Sequence, residues 1–422
     1  MDPFHYADDQ LHCERVAAER LVGEYGTPLY VYSRGAIEER YREFDTAFAP
    51  LDRLIAFSVK ANGNLSVLRL LARLGAGADI VSGGELHRVR AAGIPTERVL
   101  FSGVGKTIVE MAAALAAEIY SFNVESEGEL RELAGLARTL NRSAPFALRV
   151  NPAIESPTPH HYTRTGHAES KFGIPIGDAV RLYRLAGELG GLTPVGIDVH
   201  IGSQILQPEP YEAALLQTLE IVDALHGEGI VLEYLDLGGG FGIAYEDESH
   251  HETPPARRFA DLVVPHLQGR GLRLVLEPGR FIVGPAGILL TRVLYVKEMG
   301  SRTYIITDAG MNDLLRPSHY ASYHAVRPAR LMPGRERITL DIVGPICESG
   351  DFLALDRPLE RPEPGELLAI FTTGAYGFSM ASTYNQRPRP AEVLVEGENA
   401  RLVRPRERYD DLLGGEVELL EA

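Results

Sequence analysis

The strongest constraint in this chain is an alternation. Between residues 54 and 276, short β-branched or apolar runs are separated by longer stretches rich in Ala, Leu, Glu and Arg with helical spacing. The strand-like runs lie at 54–59, 78–81, 98–102, 120–124, 146–150, 196–201, 233–237 and 273–276. The helical stretches lie at 65–74, 84–92, 108–117, 127–140, 176–189, 210–225 and 257–267. Alternation of this kind predicts parallel βαβ units. Eight such strands over roughly 230 residues match the size of a (β/α)8 TIM-type barrel. A doubly wound open sheet shares the same local periodicity, so closure is not proved by it.

After residue 286 the texture changes. Residues 288–298, 303–308, 338–343, 367–373 and 391–396 read as strands. Turn clusters at 327–336 and 357–365 separate them, and no clear long amphipathic helix intervenes. This predicts a second, C-terminal β domain. An early strand at 28–32 precedes the alternation, and its sequence does not name its partner. The expected division is a barrel at 36–286, with 1–35 and 287–422 forming the β domain.

Composition removes whole classes of function. At 422 residues the chain exceeds the usual single-core size. Its formal charge of −16 argues against a nucleic-acid or anionic-membrane binder. No apolar run approaches the ~18 residues of a membrane span, and the acidic start lacks a signal-peptide core. Two cysteines, Cys13 and Cys347, are too few for a disulfide framework and fit a cytoplasmic protein. Only four of the 42 basic residues are lysines: Lys60, Lys106, Lys171 and Lys297. Lysine-based chemistry has no other candidates.

The barrel reading makes a sharp test possible, because barrel chemistry sits at the C-terminal ends of the strands. Lys60 follows strand one and Ser82-Gly83-Gly84-Glu85 strand two. Ser102-Gly103 follows strand three, Glu125 strand four and Asn151 strand five. His200 closes strand six. Gly238-Gly239-Gly240 follows strand seven and Glu277-Pro278-Gly279-Arg280 strand eight. Polar residues and glycines gather on one ring, which a purely structural pattern does not require.

Several motifs have a bland and a chemical reading. A lysine beside an apolar strand either snorkels to the surface or is a desolvated amine open to Schiff-base formation. The place of Lys60 at a strand mouth, facing a glycine-rich loop, favours the second. Consecutive glycines at 238–240 form a tight turn or let backbone N–H groups approach a phosphate. Ile243 breaks the GxGxxG spacing, which disfavours a dinucleotide fold. Gly103-Val104-Gly105-Lys106-Thr107 resembles the end of a P-loop, but Leu100 stands where that motif needs glycine. Lys106 is therefore expected to be an exposed helix-start residue. Lys171 either lines the cleft or caps a loop, and Lys297 takes the solvent side of an alternating strand.

His200 can be a base, a metal ligand or a satisfied core residue. No second ligand lies at metal-motif spacing, and the acidic run 246–252 reads as a solvated loop. Cys347 is either an inert buried thiol or part of a polar site framed by Glu348 and Asp351. Gly374-Ala375-Tyr376-Gly377 is a second glycine-framed polar group. Arg316 and Tyr320 could clamp a substrate carboxylate, for which arginine's fork is suited.

Taken together, Phe57-Ser58-Val59-Lys60-Ala61-Asn62, Ser82-Gly83-Gly84-Glu85, His200-Ile201-Gly202-Ser203-Gln204, Leu237-Gly238-Gly239-Gly240, Glu277-Pro278-Gly279-Arg280, Cys347-Glu348-Ser349-Gly350-Asp351 and Gly374-Ala375-Tyr376-Gly377 resemble one family, the diaminopimelate decarboxylases. The resemblance runs from about residue 27 to 395 and implies an alanine racemase-like fold, pyridoxal-phosphate fold type III. It implies pyridoxal 5'-phosphate carried by Lys60, with Glu277 keeping the ring nitrogen protonated and His200 stacked on the ring. Ser203, Gly239, Gly240, Gly279, Arg280 and Tyr376 would hold the phosphate. Arg280, Arg316, Tyr320, Glu348 and Tyr376 would bind substrate, and Cys347 would be the general acid. The implied assembly is a homodimer in which the Cys347 loop completes the partner's site, and residues 160–166 onward resemble a mobile loop. The implied reaction converts meso-2,6-diaminopimelate to L-lysine and carbon dioxide. Two rivals stand beside it: a decarboxylase of ornithine, lysine, arginine or a specialised-metabolism substrate, and a cofactor carrier without activity. Carrying both Lys60 and Cys347 argues against the second.

Overall fold

The computed structural model describes residues 2–154, 170–245 and 253–420. The acidic run at 246–252 and residues 160–166 fall outside them. The chain divides into two compact units. One comprises Arg40–Ile243 with Thr253–Phe281, and the other Met1–Glu39, Ala244–Glu252 and Ile282–Ala422.

The N-terminal strands β1 (Phe4–Ala7), β2 (Gln10–Cys13) and β3 (Val16–Ala17) form a small antiparallel sheet. Helix α1 (Ala18–Tyr25), β4 (Leu29–Ser33) and α2 (Arg34–Ala47) lead into the alternating region. Its strands are β5 (Arg53–Ser58), β6 (Gly77–Ile80), β7 (Val99–Phe101), β8 (Ser121–Val124) and β9 (Ala144–Asn151), followed by β10 (Ile174–Pro175), β11 (Leu192–Val199), β12 (Tyr234–Asp236) and β13 (Arg273–Leu276). Neighbours pair in parallel from β5 to β9, then through β11, β12 and β13 back to β5. The result is a closed eight-stranded parallel barrel, and β10 adds a two-residue ladder beside β9. Closure excludes the open sheet that periodicity alone left possible.

Helices α3 (Leu65–Arg73), α4 (Gly83–Ala92), α5 (Ile108–Ala116), α6 (Glu127–Thr139), α7 (Ala179–Leu189), α8 (Glu209–Gly227) and α9 (Ala256–Leu267) connect the barrel strands. Several start where the sequence supplies a cap. Asn64, Ser82, Thr107 and Ser126 each accept a backbone N–H from the first turn. Each such cap contributes about 1 kcal/mol and fixes where the strand's polar end-residues sit.

Period-two alternation explains the barrel interior. Leu54, Ala56, Leu100, Ala147, Tyr234 and Val275 form one buried apolar layer. Gly196 makes room for Tyr234, since a Cβ there would overlap its ring. Two residues further along the same inward register come Ser58, Ser102, Arg149, Asp198, Asp236 and Glu277. The lower layer is a packed core, and the upper one is polar.

The second unit is β. It holds β14 (Gly287–Met299), β15 (Arg302–Thr307), β16 (Val326–Pro328), β17 (Arg337–Val343), β18 (Phe352–Glu360), β19 (Leu367–Ile370), β20 (Ala391–Glu396) and β21 (Asn399–Arg404). The main path is β18-β17-β15-β14-β4-β20-β21, with β19 joining β14 to β16. Strand β4, whose partner the sequence did not name, pairs with β14 on one edge and β20 on the other. Its core includes Leu29, Val31, Ile288, Leu290, Val393 and Val395. Two of the turn assignments are corrected here. Residues 327–328 belong to β16 and 357–360 to β18. Both segments are edge strands carrying a proline, and an edge tolerates a residue without an N–H. Among the described residues, no helix is long and apolar enough to cross a membrane.

Candidate active site

Lys60 lies in a single 3-10 turn directly after β5. Its Nζ is 3.2 Å from Asp79 Oδ2, on the next strand. Asp79 is fully buried, and the same oxygen accepts the Ser58 hydroxyl at 2.6 Å. The lysine side chain is 38% exposed, so the amine stands at the mouth with a buried anion behind it. Glu85 is drawn into the same corner. Its Oε2 accepts the Val81 N–H at 2.7 Å, and burial pushes its carboxyl up to about 7.

Beside it stands a fixed imidazole. His200 Nδ1 accepts the Gly239 N–H at 3.0 Å, which leaves the hydrogen on Nε2. Burial, then the charges of Arg149 and Lys60, hold its pKa well below the usual histidine range, so the ring is neutral. The glycine loop is packed too closely for side chains. A Cβ on Gly239 would overlap the Glu277 carbonyl oxygen, and one on Gly240 (φ +91°) the Gly202 carbonyl oxygen. The Tyr211 hydroxyl donates to Gly239 O at 2.8 Å, and Asp236 Oδ1 accepts the Gly238 N–H at 2.8 Å. Arg280, which begins the short helix α10 (Arg280–Val283), donates to Ser203 Oγ at 3.2 Å. Gly279 lies against Ala61 and Ser58.

Glu277 is buried, with the Asp236 carboxyl the foremost charge acting on it. Ser102 Oγ lies 3.5 Å from Glu277 Oε1 and accepts from Asn123 Nδ2 at 3.2 Å. Burial, then Asp236, Asp79 and Asp198, push the Glu277 carboxyl well up, and Lys60 opposes them. Asp236 is pushed up to about 7, again chiefly by burial. Arg149 offsets part of this charge, bonding Glu125 at 2.9 Å and lying 3.9 Å from Asp198. Even so, Asp79 Oδ1, Asp198 Oδ1 and Asp236 Oδ2 are buried without a hydrogen-bond partner. The layer under the mouth is short of protons and positive charge. A cofactor whose ring nitrogen brings both to Glu277, and whose phosphate meets Arg280 and the glycine loop, fits this set.

The second unit carries the other residues singled out by the sequence. Cys347 is an exposed free thiol on the loop between β17 and β18. Its N–H donates to Asn385 Oδ1 at 3.0 Å, and Asp351 braces the loop by accepting the N–H groups of Met311 and Ile346, each at 2.6 Å. Glu348 is exposed and bonds the Tyr384 side chain. Arg316 opens the short helix α11 (Arg316–Tyr320) and is buried, while Tyr320, at its end, is half-buried. Tyr376 is half-buried and adopts φ +57°, a left-handed conformation that a tyrosine rarely takes.

One expectation fails. Lys106 is not exposed: its side chain is fully buried. Its Nζ donates to Gly103 O (2.8 Å), Asn123 O (2.7 Å) and Glu129 Oε1 (2.7 Å), tying the loop after β7 to strand β8 and helix α6. Lys171 and Lys297 are exposed. The sequence reading also passed over Asp79, Arg149, Asp198, Asp236 and His324. Charged residues at inward positions of otherwise apolar strands were the available signal for the first four.

Residues 34–284 match the family described as pyridoxal-dependent decarboxylase, pyridoxal binding domain. The chain is 50% identical to a diaminopimelate decarboxylase of Pseudomonas aeruginosa over 99% of both chains. It is 48% identical to one of Aquifex aeolicus, over 96% of this chain and 95% of that one. The crystal structure of diaminopimelate decarboxylase from Helicobacter pylori complexed with L-lysine superposes with a TM-score of 0.90 at 42% identity, covering 95% of this chain and 99% of that one. The chain thus belongs to the pyridoxal-dependent decarboxylases, in the diaminopimelate decarboxylase family.

Proposed function

We propose that this chain decarboxylates meso-2,6-diaminopimelate to L-lysine and carbon dioxide, the last step of lysine biosynthesis, in the cytoplasm. The observation that carries the reading is Glu277. It is a buried carboxyl, on the same ring as Lys60, in a layer whose acidic groups Arg149 only partly offsets. Pyridoxal 5'-phosphate, when bound, supplies an electron sink for the pair left behind when carbon dioxide departs. A carboxylate at the ring nitrogen keeps that sink strong, which suits decarboxylation.

The protein's own groups then have separate tasks. Lys60 would hold the cofactor through its ε-amine. Glu277 would keep a proton on the ring nitrogen, and the neutral His200 would pack against the ring. Ser203, Gly239, Gly240, Gly279, Arg280 and Tyr376 would hold the phosphate. Arg280, Arg316, Tyr320, Glu348 and Tyr376 would bind the substrate, with Arg316 gripping the distal carboxylate as a planar fork suits. Cys347 would return the proton to the carbon that lost its carboxylate. We further propose a homodimer, in which the exposed Cys347 loop of one copy completes the site of the other.

A purified sample tests this directly. A visible cofactor band that borohydride bleaches, with L-lysine and carbon dioxide formed from meso-diaminopimelate, is the expected result. Faster turnover of L-lysine or L-ornithine than of diaminopimelate would overturn the substrate.

A further inference from the structure

The surroundings of Arg316 determine a protonation state that no titration is needed to find. Arg316 Nη1 lies 2.8 Å from His324 Nε2. The second ring nitrogen, His324 Nδ1, lies 2.8 Å from the Phe371 carbonyl oxygen. Both partners have fixed polarity, since a guanidinium only donates and a carbonyl only accepts. Nδ1 therefore carries the hydrogen, and Nε2 presents a bare lone pair to the arginine. His324 is fully buried. Its ring meets the Tyr245 ring edge-on at 5.2 Å, and Tyr245 in turn covers the guanidinium at 4.7 Å. Ser322 Oγ accepts from Nη2 at 3.2 Å. The planar group is thus held on one edge by an imidazole, on a second nitrogen by a hydroxyl, and on one face by an aromatic ring.

We propose that His324 is a positioning residue for substrate recognition: as the Nδ1–H tautomer it couples the Arg316 guanidinium to the backbone after β19 and sets the direction from which Arg316 grips the substrate's distal carboxylate. The inference rests on the reading of Arg316 given above. An arginine stem has many rotamers, and a fork ordered before binding loses less freedom when the carboxylate arrives. A fully buried imidazole held between two fixed partners supplies that order.

The test uses the cofactor-loaded enzyme and two inhibitors that differ only at the distal end. L-lysine keeps a carboxylate there, and 1,5-diaminopentane has none. His324→Phe keeps the ring but removes the acceptor. It should raise KM for diaminopimelate and Ki for L-lysine by roughly tenfold, the loss typical of one hydrogen bond to a charged group. The expected kcat stays within about threefold and the diaminopentane Ki is unchanged, since neither depends on that bond. His324→Gln, whose amide oxygen can still accept, should give a smaller shift and serves if the Phe variant does not fold. Equal shifts for both inhibitors, or a fall in kcat with KM constant, would overturn the positioning role. Arg316→Met separates the two levels. If it weakens L-lysine while the His324 variants do not, the inference alone fails; if it leaves L-lysine binding intact, the reading of Arg316 fails too.

Discussion

Lys106→Met probes how the barrel holds its catalytic ring without altering Lys60, His200 or Glu277. Methionine keeps most of the stem volume and removes three hydrogen bonds, two to backbone carbonyls and one to Glu129. Neutral acceptors lose about 1 kcal/mol each and a charged one about 1.5–3 kcal/mol. A loss of about 4 kcal/mol follows, inside the range for removing one partner of a buried pair. The abandoned carboxylate of Glu129 dominates, because burial already pushes its carboxyl up and Lys106 opposes that push. Without the lysine, Glu129 takes a proton more readily in the folded state than in the unfolded one. A proton bound preferentially by the folded state makes stability fall as pH rises. The deficit of the variant should therefore be largest near neutral pH and shrink in acid. Adding Glu129→Gln, which keeps an acceptor for the Glu125 N–H but carries no charge, should recover about 1–2 kcal/mol. Urea midpoints of wild type, single and double variants at two pH values provide the measurement. A single variant within about 1 kcal/mol of wild type, or a double variant no better than the single, refutes the reasoning.

Other consequences can be checked in parallel. Lys60→Ala should abolish the visible cofactor band, whereas Cys347→Ala should keep the band and lose most carbon dioxide release; full activity of the latter would falsify its role as acid. Asp236 sits at about 7 in the fold against an ordinary 3.8, so it binds its proton more tightly folded than unfolded, and its contribution to stability is lost as pH rises between those values. Cofactor-free Asp236→Asn should accordingly show a flatter stability profile from pH 4 to 7 than wild type by thermal melting. Gly240→Ala combines φ +91° with an overlap on the Gly202 carbonyl, and should cost about 1–3 kcal/mol along with cofactor affinity measured by absorbance titration.

The barrel was legible because its strands are covered on both faces. Such strands read as apolar runs, and the helices between them carry caps such as Ser82 and Ser126. Lys60, His200 and Glu277 were legible because they interrupt the pattern at strand ends. Asp79 and Asp236 were not, because each lies within a strand run, and only pairing with Lys60 and Glu277 gives it a role. Lys106 misled for a related reason. Its neighbours are turn residues, while the acceptors that bury it include Asn123 and Glu129, supplied by the next βα unit. The arginine- and proline-rich 357–360 segment misled through local propensity, which an edge position overrides.

The pairing of β4 has a consequence for how the chain is made. Its two neighbours, β14 and β20, begin at residues 287 and 391. At a synthesis rate of 5–20 residues per second, β4 waits roughly 20–70 s between its own emergence and that of β20. Until β14 emerges a fully buried, hydrophobic strand has both edges open, and the edge that β20 will fill stays open through the whole interval, the state most prone to pairing with another nascent chain. The unit that carries Arg316 and Cys347 is therefore the late-assembling one. Its yield in a cell should depend on what shields residues 29–33 while the barrel is already complete.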